Sequence, residues 1–108
     1  MPQLTFKGIK RQGVIDMSKA LIDELETIIP VPREHFAIEH VDSMYIIDGK
    51  EAAEYPLIYV SLFDRGREAE DKVAKAITRH IQNAGYKNVD VIFTTLERSR
   101  YYENGEHF

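Results

Sequence analysis

The sequence predicts an α+β domain in which two β-α-β units, residues 2–50 and 56–106, share one four-stranded mixed sheet with both helices on a single face. Three observations carry this expectation. Apolar residues alternate with a period of two in some segments and recur every three to four residues in others. These segments follow one another as strand, helix, strand, and then repeat that order, with each helix long enough to join parallel strands. The two halves also match: Pro56 to Arg65 lies against Pro2 to Arg11, with Pro56 on Pro2, Val60 on Phe6 and Arg65 on Arg11, while Tyr101 to Glu106 echoes Tyr45 to Lys50. Internal similarity of that length reads as a duplication.

The first strand is expected over Pro2 to Ile9, where Leu4, Phe6 and Gly8 alternate with Gln3, Thr5 and Lys7. After Lys10 to Gly13 the period changes. Val14, Met17, Leu21, Leu25 and Ile28 form a helical stripe that Ile22 and Ile29 widen, and Pro30 and Pro32 stop it, since proline lacks the amide donor and disfavours helical geometry in the residue before it. A second strand follows at Phe36 to Val41. Tyr45-Ile46-Ile47 then runs into a turn at Asp48-Gly49, and Lys50 to Glu54 reads as a polar connector. Leu57 to Phe63 is the most apolar run, short and rich in strand formers, and is expected to be the central strand, buried on both faces. Past Asp64 to Arg67, a second helix is marked by Ala69, Val73, Ala76, Ile77, His80 and Ala84, and Gly85 suits its C-terminal end. Val89, Val91 and Phe93 then alternate with Asp90, Ile92 and Thr94 in a fourth long strand. With Leu4, Phe6, Ile58, Val60 and Leu62 turned to the helices, alternation assigns Ile9, Leu57, Tyr59 and Phe63 to the opposite face, an apolar set that calls for a partner. The competing architecture is a ferredoxin-like monomer, which shares much of the element order.

With 108 residues, 44% of them hydrophobic, the chain suits one domain with a modest core. It contains no cysteine, which excludes disulfides, thiolate metal sites and cysteine nucleophiles. No apolar run reaches the roughly 20 residues that span a bilayer, and no charged region followed by an apolar stretch marks a signal peptide. A soluble, unexported, cytoplasmic protein without membrane association is expected. The net charge of −4, with basic residues scattered among acidic ones, argues against a nucleic-acid partner.

A proline after Met1, two β-α-β units, the stretch Pro32 to Val41, Asp48-Gly49 before the central strand and Gly66-Arg67 at the second helix together resemble the tautomerase superfamily. Its members include macrophage migration inhibitory factor, 4-oxalocrotonate tautomerase and 5-carboxymethyl-2-hydroxymuconate isomerase. The resemblance covers nearly the whole chain. It implies the fold of that superfamily, a homotrimer with active sites at subunit boundaries, and a cofactor-independent tautomerase or isomerase that moves a proton on an enol or α-keto acid. Pro2 matches the catalytic amino-terminal proline, Arg11 an arginine that binds substrate carboxylate, and Tyr45 an aromatic wall. The second arginine of the oxalocrotonate branch falls on Ala37, and the cytokine's lysine before the second strand falls on Val31. Both departures leave room for an alternative, a trimeric binding or interaction protein without turnover.

Read from the residues alone, Pro2 has two meanings. It is a secondary amine if Met1 is removed, and otherwise a strand-leading proline, a position where proline is tolerated. Arg65 and Arg67, between strand and helix, are either anion ligands, since guanidinium pairs with carboxylate in bidentate fashion, or solvated loop charges. His40 falls on the core side and is expected to be packed, while His35, His80 and His107 share no ligand spacing, so no metal is expected. Glu97 to Tyr102 mixes cations and aromatics. In an acidic chain this favours packing on a neighbouring subunit over nucleic acid, and the resemblance implies that Tyr101 or Tyr102 reaches from there into the neighbour's site.

Overall fold

The computed structural model describes residues 2–108. Its order is β1 (Gln3–Lys7), α1 (Arg11–Ile28), β2 (Ala37–His40), a hairpin of β3 (Tyr45–Ile47) and β4 (Lys50–Ala52), β5 (Leu57–Phe63), α2 (Arg67–Asn83), β6 (Asp90–Leu96) and a hairpin of β7 (Tyr102–Glu103) and β8 (Glu106–His107). The main sheet has the order β2-β1-β5-β6, with β1 parallel to β2, β5 parallel to β6, and the two inner strands antiparallel. Each unit closes with an equivalent bond: the Ala37 amide donates to the Pro2 carbonyl at 2.9 Å, and the Asp90 amide to the Pro56 carbonyl at 3.0 Å. This is the expected α+β architecture of two β-α-β units on one mixed sheet.

Both helices lie on the same sheet face because the apolar rows point there. Leu4, Phe6, Ile58, Val60 and Leu62 meet Val14, Met17, Leu21, Ile22 and Leu25 of α1 and Val73, Ala76, Ile77 and Ile81 of α2 in one buried cluster. Each such side chain contributes about 1.5–3 kcal/mol on burial. Helix α1 begins at Arg11, three residues before its apolar stripe, because the Lys10 amide donates to the Tyr86 hydroxyl at 3.0 Å and so anchors the entry. Helix α2 carries Glu68 and Glu70 in its first turn, where the exposed amides favour negative charge.

The structure corrects the reading of the opposite face. Ile9 joins the helix-side core at 2% exposure, because Gly8 takes φ +72° and breaks the alternation. Glycine is required there twice over, since a Cβ would also lie 2.0 Å from the Tyr55 carbonyl oxygen. Phe63 is on the expected face but is covered within its own chain by Tyr101 and Phe108. The remainder is mixed rather than uniformly apolar: Thr5 pairs Glu39 and Tyr59, which pairs Ile92, and Lys7 lies over the Tyr59 ring. The connector Lys50 to Glu54 is also different, since its first three residues form β4. Both hairpins turn on pairs with positive φ, Asp48-Gly49 and Asn104-Gly105, the geometry whose twist matches tight two-residue turns.

One ion cluster ties the helices together. Arg79 of α2 donates both terminal nitrogens to Glu24 of α1, at 2.7 and 2.8 Å, and His80 Nε2 lies 3.0 Å from the same carboxylate. The Arg79 hydrogen bonds, aided by His80, hold the Glu24 carboxyl down to about 2. A carboxyl whose pKa falls on folding stabilises the protein above its unfolded value, near 4.5, and loses that contribution as pH drops toward the folded value. Urea unfolding at pH 6 and pH 2.5 is therefore expected to show a smaller acid-induced loss of stability in Glu24→Gln than in the parent. Equal losses would show that Glu24 does not carry the acid limb.

Candidate active site

The antiparallel centre of the sheet sorts the candidate residues between two ends. The start of β1 lies beside the end of β5: Gln3 pairs Ser61, and one step further sets Pro2 opposite Leu62. At about 3.3 Å per residue, the six steps from Pro2 to Gly8 separate the ends by roughly 20 Å. Pro2, Phe63, Arg65, Arg67, Arg98 and Tyr101 belong to one end, and Arg11, His40 and Tyr45 to the other.

At the first end Pro2 is buried, with its carbonyl held by Ala37. Next to it, three rings close over the strand end. Phe63 lies 5.5 Å from Tyr101 and 5.7 Å from Phe108, and Tyr101 stacks on Phe108 at 4.8 Å. The Gln3 side-chain amide reaches the Tyr101 hydroxyl at 3.4 Å, a long contact that nonetheless joins the cluster to the strand Pro2 begins. The Arg98 guanidinium sits 4.6 Å above the Phe63 ring. Arg98 and Phe108 are functional candidates that the periodicity of the sequence does not single out. In the sequence the segment is marked only by its mixture of cations and aromatics and by the echo of one hairpin in the other.

At the second end Arg11 pairs with Asp42 at 3.2 Å, both side chains exposed. Tyr45 donates to the Tyr55 carbonyl at 2.7 Å, and Tyr55 donates to Asp90 at 2.9 Å. Burial raises the Tyr45 hydroxyl pKa, and the Asp90 hydrogen bond raises that of Tyr55, so both remain protonated donors. His40 is packed as expected, with Nε2 2.8 Å from the Ile9 carbonyl. The cleft here, of about 460 Å³, is lined by Lys10 and Arg11 but also by Asp42, Glu51 and Glu54, which offset the cations.

Arginine pairing differs between the ends. Of seven arginines, Arg11, Arg33, Arg79 and Arg100 face carboxylates within 3.3 Å. Arg65, Arg67 and Arg98 have no hydrogen-bond or ion-pair partner among the described residues, and all three lie at the Pro2 end. No cluster of three or more His, Cys, Asp or Glu suited to a metal ion occurs among the described residues, and no helix among them is long and apolar enough to cross a membrane.

This architecture is the tautomerase-superfamily fold. A structure described as a wild-type fused 4-OT symmetric trimer superposes with a TM-score of 0.75 at 18% identity, over 98% of this chain and 94% of that one. Residues 1–107 match the family described as Domain of unknown function (DUF1904), and the chain belongs to that family. A crystal structure of a DUF1904 domain from Sebaldella termitidis ATCC 33386 is 36% identical over 100% of both chains, with a TM-score of 0.93. A protein of unknown function from Vibrio cholerae O1 biovar eltor is 28% identical over 99% of this chain and 87% of that one, with a TM-score of 0.87. Comparison with functionally curated proteins finds no match.

If Phe63 holds the C-terminal hairpin against the sheet, Phe63→Ala should cost about 3 kcal/mol, the lower end for a buried phenylalanine. It should also speed amide exchange across Tyr102 to His107, while Phe108→Ala, which leaves the Phe63–Tyr101 contact, does so less. Unchanged exchange in Phe63→Ala would mean that the hairpin is held by something else.

Proposed function

We propose that this protein is a cofactor-independent tautomerase in which Pro2, freed by removal of Met1, is the general base. The observation that carries this reading is the coincidence, at one end of the sheet, of a buried strand-leading proline, an aromatic cluster and the three arginines that have no carboxylate partner among the described residues. A free Pro2 amine would be a secondary amine in an apolar corner near fixed positive charge. Both features disfavour its cation and lower its pKa toward neutrality, where a general base works best.

The substrate is a small enol or α-keto acid. Pro2 takes the proton from the enol oxygen and returns it to the carbon that becomes sp3, or runs the same steps in reverse, so no proton is gained or lost overall. Arg65 and Arg67 stabilise the developing enolate oxygen electrostatically. Tyr101 walls the pocket. Arg11 and Tyr45, roughly 20 Å away in the same chain, join the site only when a neighbouring copy brings them. A homotrimer supplies that copy: a fused 4-OT of the same fold is described as a symmetric trimer, and Ile46 and Ile47 of the β3-β4 hairpin stand 66% and 65% exposed, apolar surface suited to such a contact. The proposed setting is the cytoplasm. A second reading, a trimeric binding module without turnover, is favoured by one position, Ala37, where the oxalocrotonate branch has an arginine.

The test is ketonisation of phenylenolpyruvate and 2-hydroxymuconate by protein whose free Pro2 is verified by mass spectrometry. Pro2→Ala is expected to lower kcat by roughly 10²-fold or more while keeping weak activity through the alanine amine. One extra residue ahead of Pro2 should abolish turnover. Light scattering should give the mass of three chains. Undiminished activity in Pro2→Ala or in the extended protein contradicts the mechanism, and absence of turnover with a verified free amine favours the binding module.

A further inference from the structure

We infer that Arg98 is the carboxylate-binding residue of the Pro2 site, in place of Arg11. The inference rests on the reading of Pro2 as the site but concerns ligand recognition, which can be measured without turnover. Four observations converge. Arg98 is held with its guanidinium 4.6 Å over the Phe63 ring, and Phe63 ends the strand that flanks Pro2. The contact with the aromatic face holds the cation in place, and a guanidinium offers a planar fork of donors that receives a carboxylate through two parallel hydrogen bonds. Among the described residues no carboxylate occupies those donors, whereas Arg11 already faces Asp42 at 3.2 Å and Arg100 faces Glu97 at 3.3 Å. Finally, Tyr101 and Phe108 stack beside the same Phe63 ring, and Gln3 links Tyr101 to the Pro2 strand, so a flat apolar surface adjoins the cation.

The site so formed suits a planar, unsaturated monocarboxylate: the anion on Arg98, the conjugated body along Tyr101. It also accounts for Ala37, because a cation supplied from the segment after β6 removes the need for one at the start of β2. Arg98 is thus a substrate-binding residue, and its loss affects affinity rather than the proton-transfer step.

The experiment uses trans-cinnamate, which has the carboxylate and the flat body but no proton to exchange, so that binding is read by calorimetry whether or not the protein turns anything over. Arg98→Ala is expected to weaken cinnamate binding about tenfold, in line with a charge-assisted hydrogen-bond pair. Arg98→Lys should recover only part of that loss, and Arg100→Ala should change binding by less than about threefold, as suits an exposed side chain already paired with Glu97. Cinnamamide, the neutral isostere, should bind the parent and Arg98→Ala equally weakly. With phenylenolpyruvate, Arg98→Ala should raise KM and leave kcat within about twofold, whereas Pro2→Ala lowers kcat and leaves cinnamate binding intact. If cinnamate binds the parent and Arg98→Ala alike, if Arg11→Ala is the variant that loses it, or if the parent does not bind it, the inference is overturned. Cinnamate binding that depends on Arg98 in a protein without turnover sustains the inference and removes the catalytic reading.

Discussion

The antiparallel contact between β1 and β5 is the constraint from which the rest follows. Because Leu4 meets Val60 and Phe6 meets Ile58 at the centre of the sheet, the head of the first unit lies against the tail of the second. A parallel pairing would have put Pro2 beside Pro56 and Arg11 beside Arg65. The observed one puts Pro2 beside Phe63 and the loop that carries Arg65 and Arg67, and sends Arg11 to the far end. The same contact forces both helices onto one face, since the inner residues of both central strands point to the same side. Site geometry and core geometry are therefore set by one register.

The C-terminal hairpin gives the two ends different character. At the Pro2 end it lays Tyr101 and Phe108 over Phe63 and carries Arg98 with them. Its counterpart at the other end, the β3-β4 hairpin, exposes Ile46 and Ile47 instead and makes its close contact through Tyr45 on the Tyr55 backbone. Two units of the same topology thus provide one end with an aromatic cover and cations that have no ion-pair partner among the described residues, and the other with balanced charges and an apolar arm. Such divergence is what a duplicated scaffold permits, because the core is satisfied by the strands and helices alone.

Much of the fold was legible because its signal is local. Period-two and period-3.6 segments identified the four long strands and both helices, the paired prolines ended α1 before Pro30, and Gly85 marked the end of α2. What failed was whatever depends on a single backbone rotation or on distant chain. Alternation assigns Ile9 to the wrong face because it cannot anticipate the positive φ at Gly8, which is itself fixed by the approach of Tyr55, far along the sequence. Alternation leaves Phe63 on a face that calls for a partner, because nothing local reveals that Tyr101 and Phe108 return to cover it. Strand β4 is silent in the sequence, since Lys50-Glu51-Ala52 has no apolar alternation and pairs with β3 across the Asp48-Gly49 turn. For the candidate site, residue types and the resemblance point to Pro2, Arg11, Tyr45, Arg65, Arg67 and Tyr101, but the division of these candidates between two ends follows from sheet register, and the placement of Arg98 follows from tertiary packing.

The central claim is that the Pro2 end of the sheet is an apolar, cationic corner able to keep an amine deprotonated near neutral pH. Nitrogen NMR of protein labelled with ¹⁵N-proline, with Met1 verified absent, tests this most directly by titrating the Pro2 nitrogen itself. The account predicts a midpoint below about 7.7, the ordinary value for an α-amino group, that moves back up toward it in high salt as the neighbouring arginine charges are screened. A midpoint at or above that ordinary value would show an amine that is solvated and protonated under working conditions, and would contradict the account.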